Sequence, residues 1–234
     1  DAHFPREAYL RAVIEFSNRC RCSCLYCGMR LGNRGAEGYE LDADEIVETA
    51  ATARKNGIGT FFLQAAESTT YEAGWLTDVI SRISSLGMEV ILCVGFHGVE
   101  ELDAWRRAGA GKFILKHETS DPELFSRMKP GFLLQDRIAM LRTLRERGYG
   151  VGSGTLLGLP GQTIDSLVGD LLLMKELAVE MSSVSIFMPA AGTPLEHQPP
   201  GDPELGLRFV AAMRLFLGNT LIPATSTFQR LLPD

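Results

Sequence analysis

No stretch of this 234-residue sequence reaches the roughly 18 consecutive apolar residues that a membrane-spanning helix needs, and no secretory leader is visible. Blocks of basic residues are missing too. Lys and Arg number 23 against 29 Asp and Glu, for a net charge of −6. The basic residues are scattered, and the run Arg142 to Arg147 reads as a solvated helix face. Neither a membrane nor a nucleic acid is therefore expected as a partner. Cysteine is scarce except in one place: four of the five lie between Cys20 and Cys27. A secreted disulfide framework is not distributed this way, so a cytoplasmic protein with a metal or redox site is expected. Short repeats and low-complexity tracts are absent. The segment Gly158 to Gln162 lacks the lysine that would make it a phosphate loop.

What remains is an ordinary globular composition, 45% hydrophobic and 22% charged, long enough to bury a substantial core in one domain spanning 1–234. The sequence opens at Asp1 and ends soon after an expected strand, so it reads as trimmed. Short apolar runs alternate with amphipathic stretches. Strands are expected at 12–17, 60–64, 89–94, 112–116, 150–156, 183–187 and 220–222. Helices are expected at 42–56, 74–86, 99–108, 134–147, 163–180 and 203–217, with a short one near Arg6 to Arg11. Asp42 with Glu45 three residues later is a capping-box signature. Such alternation implies right-handed parallel crossovers and a TIM-type (βα) barrel, complete or cut short at its C-terminal end, with an open doubly wound sheet as the alternative. In a barrel the functional residues gather at the C-terminal ends of the strands.

The segment after the first strand carries the chemistry. Cys20, Cys24 and Cys27 follow a C-x3-C-x2-C spacing, with Tyr26 just before the last cysteine. Thiolates suit an iron–sulfur cluster or zinc. Structural zinc needs four ligands, and no second pair follows downstream. Three thiolates on a four-iron cluster leave one iron open to another ligand. Chance clustering is the remaining reading. Cys22 is expected to stand aside, and Cys93 to be a buried strand cysteine.

C-x3-C-x-aromatic-C after the first strand of a (βα) barrel resembles the radical S-adenosylmethionine superfamily. The resemblance implies a [4Fe–4S] cluster on Cys20, Cys24 and Cys27, with S-adenosylmethionine chelating the fourth iron. It also implies one-electron cleavage of that cofactor to a 5′-deoxyadenosyl radical inside a dry barrel. Ser17-Asn18, Lys116-His117-Glu118-Thr119, Gly152-Ser153-Gly154, Gly158-Leu159-Pro160-Gly161-Gln162-Thr163 and Ile222-Pro223-Ala224-Thr225 narrow the likeness. They are similar to [FeFe]-hydrogenase maturases of the HydE type and, less closely, to methylornithine synthases of the PylB type.

Carried over by position, Tyr26 contacts the adenine through its backbone and Glu118 binds the ribose hydroxyls. Lys116 stands where these proteins usually have arginine, and lysine lacks the bidentate fork of arginine. Arg137 pairs with the methionine carboxylate, and the backbone at Gly158 lies near the adenine. Gln64-Ala65-Ala66-Glu67 occupies the family's glycine-rich turn, where two alanines replace glycines and Glu67 is the matched side chain. His117 is expected to be structural. Gly152 to Gly154 leave room for a ligand or permit strand twist. Thr225, Ser226 and Thr227 are expected to meet a substrate carboxylate.

The resulting expectation is a radical enzyme acting on a small-molecule or organometallic substrate, served by an electron donor such as a flavodoxin or ferredoxin. HydE-like work alongside other hydrogenase maturases comes first, and a PylB-like rearrangement of lysine second. A non-catalytic iron–sulfur or zinc scaffold is the reading from another class.

Overall fold

The computed structural model describes residues 8–33, 35, 37–68 and 72–232. Its strands are β1 (Ala12–Ser17), β2 (Thr60–Ala65), β3 (Glu89–Cys93), β4 (Ala110–Ile114), β5 (Gly150–Leu157) and β6 (Met181–Ile186). The helices are α1 (Ala43–Lys55), α2 (Ala73–Ser85), α3 (Val99–Ala108), α4 (Pro122–Met128), α5 (Leu134–Glu146), α6 (Ile164–Glu176), α7 (Pro203–Leu217) and α8 (Ser226–Leu231). The hydrogen-bonded strand order follows the chain, β1-β2-β3-β4-β5-β6. Successive βα crossovers give this order.

The chain divides into two compact units. The first comprises Asp1–Cys20, Gly38–Ile114 and Leu144–Gly150. Its strands β1 to β4 pair in parallel, Val13 with Phe62 and Phe62 with Ile91, and the register shifts between Glu15 and Ser17 and between Val90 and Ile91. Phe61, Leu63, Val90, Leu92 and Phe113 are fully buried, as the near-continuous apolar runs require of strands covered on both faces. Helix α1 begins as its sequence says: Asp42 accepts from the Glu45 amide, and the Glu45 carboxylate accepts from the Asp42 amide.

The second unit comprises Arg21–Glu37, Leu115–Thr143 and Val151–Asp234. It holds the cysteine loop, α4, most of α5, and the parallel pair β5–β6, whose register runs from Gly152–Met181 to Leu157–Ile186.

Four sequence expectations shift. The seventh strand is reduced to one bridge, in which Leu221 donates to Glu180 and accepts from Ser182. Pro223 has no N–H to extend that ladder, and α8 starts three residues later. Helices α4 and α8 were not anticipated, although Asp121-Pro122-Glu123 is a compact start signal: Asp121 caps the amides of Glu123 and Leu124 and Pro122 takes the first turn. The short helix expected near Arg6 to Arg11 is not seen at residues 8–11, and its earlier part lies outside the described residues. Strand β4 ends at Ile114, two residues short of Lys116.

Candidate functional site

Four anchors shape the cysteine loop in the second unit. The Leu25 amide donates to the Met128 carbonyl at the end of α4 (2.9 Å), and the Leu31 amide donates to the Cys22 carbonyl (2.7 Å). Arg30 folds back to donate to the carbonyls of Cys24 and Ser23. Asn33 ties the loop to Gly28 and Ala191. These bonds satisfy backbone groups that a loop without secondary structure would otherwise leave bare. None of the five cysteines is in a disulfide. Cys24 is buried and Cys27 half-buried. Cys22 is buried as well, with the ammonium of buried Lys129 3.8 Å from its sulfur.

Leu25 and Tyr26 pack on an apolar cluster of Leu124, Met128, Leu156, Leu159 and Phe187. The rest of the Tyr26 surroundings is charged. Burial pushes its hydroxyl well above the ordinary tyrosine range. Glu118 and Cys24 add to the rise, Arg137 opposes it, and Cys27 adds a further part. Tyr26, Cys24, Cys27, Glu118 and Arg137 therefore share one neighbourhood. Arg137, on the first turn of α5, is only 5% exposed, so it is no solvated helix charge.

Glu118 stands out on its backbone. Its φ is +64°, a left-handed conformation that costs a non-glycine residue about 1–2 kcal/mol. Main-chain bonds hold it there: its amide donates to Gly154 (3.0 Å) and its carbonyl accepts from Leu156 (2.8 Å). Its Oε2 lies 3.2 Å from the Lys116 ammonium, at an angle outside hydrogen bonding, and this buried oxygen has no hydrogen-bond partner. A buried carboxylate oxygen left short of donors is a place for a ligand hydroxyl or amine.

Gly158 closes the turn after β5. With φ of +90° it passes so close to Gly201 that a Cβ would stand 2.3 Å from the Gly201 Cα. Gln162 pins this turn, accepting from the Gly158 amide and donating to the Leu156 carbonyl. Gly154 serves strand pairing, since a Cβ there would meet the Ser183 carbonyl oxygen at 2.3 Å. Thr225 and Thr227 are tied to β6, through the Val184 carbonyl and the Ile186 amide respectively. Thr225, the residue that precedes α8, and Thr227 in its first turn thus fix the start of that helix to the strand.

In the first unit, Cys20 is half-buried and Glu67 is buried at 7% exposure, with Gly95 (φ +85°) pressed against its side chain. Ala66 is buried and its amide donates to Ser17. Thr69 and Thr70, which follow this turn, lie outside the described residues. Cys93 is only half-buried, at the end of β3. Among the described residues no three His, Cys, Asp or Glu side chains stand close enough to hold a single metal ion. A four-iron cubane takes its thiolates at separate corners and so asks for a wider spacing. In the second unit, Cys24 and Cys27, both beside Tyr26, supply thiolate donors of the kind such a cluster takes.

Sequence reasoning missed Asp170 and Thr155, both fully buried beside Glu118. The signal for Asp170 was present: on α6 it sits at a core position of the stripe Leu167, Asp170, Leu173 and Met174, where an apolar residue is expected.

The profile of the radical SAM superfamily matches residues 14–174, more than half of the chain. The [FeFe] hydrogenase maturase subunit HydE of Thermotoga maritima is 40% identical over 227 residues, covering 97% of this chain and 65% of that protein. A 3-methylornithine synthase of Methanosarcina acetivorans is 29% identical, covering 95% and 64%. The chain therefore spans about two thirds of the length of these relatives. The crystal structure of methylornithine synthase superposes with a TM-score of 0.85 at 23% identity, covering all of this chain and 80% of that one, which shows the fold. No helix of the described residues is long and apolar enough to cross a membrane. The fold is the partial (βα) barrel of enzymes that use a [4Fe–4S] cluster and S-adenosylmethionine, and the chain belongs to the radical SAM superfamily.

Proposed function

We propose that this chain is the radical S-adenosylmethionine part of a hydrogenase maturase of the HydE kind. The observation that carries this reading is the 40% identity to the Thermotoga HydE across 97% of the chain. Cys20, Cys24 and Cys27 hold the [4Fe–4S] cluster through their thiolates. Bound together, cluster and S-adenosylmethionine supply one-electron reductive cleavage of a sulfonium carbon–sulfur bond. The chain's own residues bind and orient. Glu118 accepts from the ribose hydroxyls with the oxygen that no donor fills. Arg137, buried on the first turn of α5, pairs with the methionine carboxylate. Tyr26 presents its backbone to the adenine while its ring seals the cluster side against the Leu124–Phe187 cluster. The turn at Gly158 shapes the adenine side, and Lys116 neutralises Glu118 until the cofactor arrives. Glu67 lies in the turn that receives the methionine amine, where alanines at 65 and 66 replace the usual glycines.

The substrate is a small organometallic precursor, and the partners are a low-potential electron donor such as a flavodoxin or ferredoxin and the other hydrogenase maturases. The test is complementation. An extract lacking this protein is expected not to activate apo-hydrogenase, and adding the reconstituted protein is expected to restore activation. Conversion of lysine to methylornithine by the purified protein, without activation of hydrogenase, would overturn the assignment in favour of the second relative.

A further inference from the structure

A buried polar group beneath Glu118 has no role in the reading above. His117, Ser153, Thr155 and Asp170 are all fully buried. The Ser153 hydroxyl has one proton, which it donates to the Leu115 carbonyl (2.9 Å). The same Ser153 Oγ lies 2.9 Å from His117 Nδ1. That orientation turns His117 Nε2 toward Asp170, 3.5 Å from Oδ1 and without a hydrogen bond of its own.

Asp170 reaches from the middle of α6 to the segment Glu118 to Ser120. Its Oδ1 accepts from the Ser120 amide, two residues after Glu118. Its Oδ2 lies 2.6 Å from the Thr155 hydroxyl, and the same hydroxyl lies 2.7 Å from the Glu118 carbonyl oxygen. The Ser120 hydroxyl adds a second tie to α6, through the Ser166 carbonyl. Asp170, the charged residue on the buried face of α6, thus grips a segment whose Glu118 has a left-handed backbone. Left to itself, a glutamate relaxes out of this conformation, and the carboxylate swings with it.

We infer that Asp170 is a positioning residue for nucleoside recognition, acting through Thr155 and Ser120 to clamp the Glu118 main chain so that its carboxylate is held ready for the ribose hydroxyls. This rests on the assignment of Glu118 to the ribose. An amide can do the same work as the carboxylate here. In the Asp170→Asn variant the side-chain oxygen accepts from the Ser120 amide and the side-chain nitrogen donates to Thr155, leaving the Thr155 proton for Glu118.

The test measures equilibrium binding of S-adenosylmethionine and of its 2′-deoxyribose analogue to anaerobically reconstituted protein without reductant, with iron content as the control for an intact cluster. The native protein is expected to prefer the natural cofactor, and Glu118→Ala to lose that preference. Thr155→Val, which keeps shape and removes the hydroxyl, is expected to weaken S-adenosylmethionine about tenfold and shrink the preference. Thr155→Ser is expected to restore both. Asp170→Asn is expected to stay within about twofold of native. In the Glu118→Ala background, Thr155→Val is expected to add no further loss. If Thr155→Val fails to take up the cluster, Asp170→Ala is compared with Asp170→Asn in its place. Should Glu118→Ala keep the preference, the ribose assignment falls. Should Glu118→Ala lose it while Thr155→Val and Asp170→Ala keep it at intact iron content, the clamp is overturned and the assignment stands. Equal losses in Asp170→Asn and Asp170→Ala would also overturn the clamp.

Discussion

The two compact units bury different things. In the first, the described buried residues are almost entirely apolar, and Ser17, Glu67 and Ser68 are the polar exceptions, all at or just beyond strand ends. In the second, His117, Thr119, Lys129, Arg137, Ser153, Thr155 and Asp170 are all buried, and several lie mid-strand or mid-helix. Burying polar and charged groups costs free energy unless each finds a partner. The first unit is built the way a parallel sheet is most cheaply built. The second accepts that cost around a loop of cysteines and a glutamate with a strained backbone, which is where a fold departs from local rules for the sake of a site.

The contrast breaks most sharply at the cysteines. Cys24→Ala is expected to abolish cluster assembly, and Cys22→Ala to leave about four irons per chain, as three remaining ligands suffice. Iron and sulfide analysis after anaerobic reconstitution measures both, and the reverse pattern would mean that Cys22 is the ligand. The next effect separates the units by backbone. Gly158→Ala meets both a left-handed φ and the Gly201 backbone, so a loss of about 3 kcal/mol or more is expected in denaturant unfolding. Gly57 in the first unit has a similar φ of +82° with open space around it, so Gly57→Ala is expected to cost only about 1 kcal/mol.

Arg137→Ala is expected to weaken S-adenosylmethionine binding by about tenfold to a hundredfold, from loss of a charged hydrogen bond. Asp42→Ala removes the α1 cap and is expected to cost about 1 kcal/mol of stability with cofactor affinity unchanged, checked by the same unfolding and binding measurements. The smallest effect belongs to Arg82→Ala. Its ion pairs with Asp44 and Asp78 lie on the surface, and no measurable change in either property is expected.

Periodicity and caps made the first unit legible. Phe61-Phe62-Leu63 and Val90-Ile91-Leu92 read as buried strands because parallel strands are apolar on both faces, and Asp42 with Glu45 marked α1 to the residue. The cysteine spacing was equally plain, because the proposed ligands lie close together in the sequence. The strand expected at 220–222 failed for a local reason: Pro223 stops the ladder after Leu221. Glu118 was visible as a residue type but its conformation was not, since a left-handed glutamate is imposed by Gly154, Leu156 and Thr155, all distant in sequence. Asp170 was hidden for the same reason. Helical patterning flags it as misplaced, and only the neighbouring strand shows what it holds.

Formation of 5′-deoxyadenosine tests the central claim most directly. Reconstituted protein given S-adenosylmethionine and dithionite is expected to produce it, and Cys24→Ala to produce none. A protein that carries an intact four-iron cluster and binds S-adenosylmethionine, yet releases no 5′-deoxyadenosine, would contradict the account.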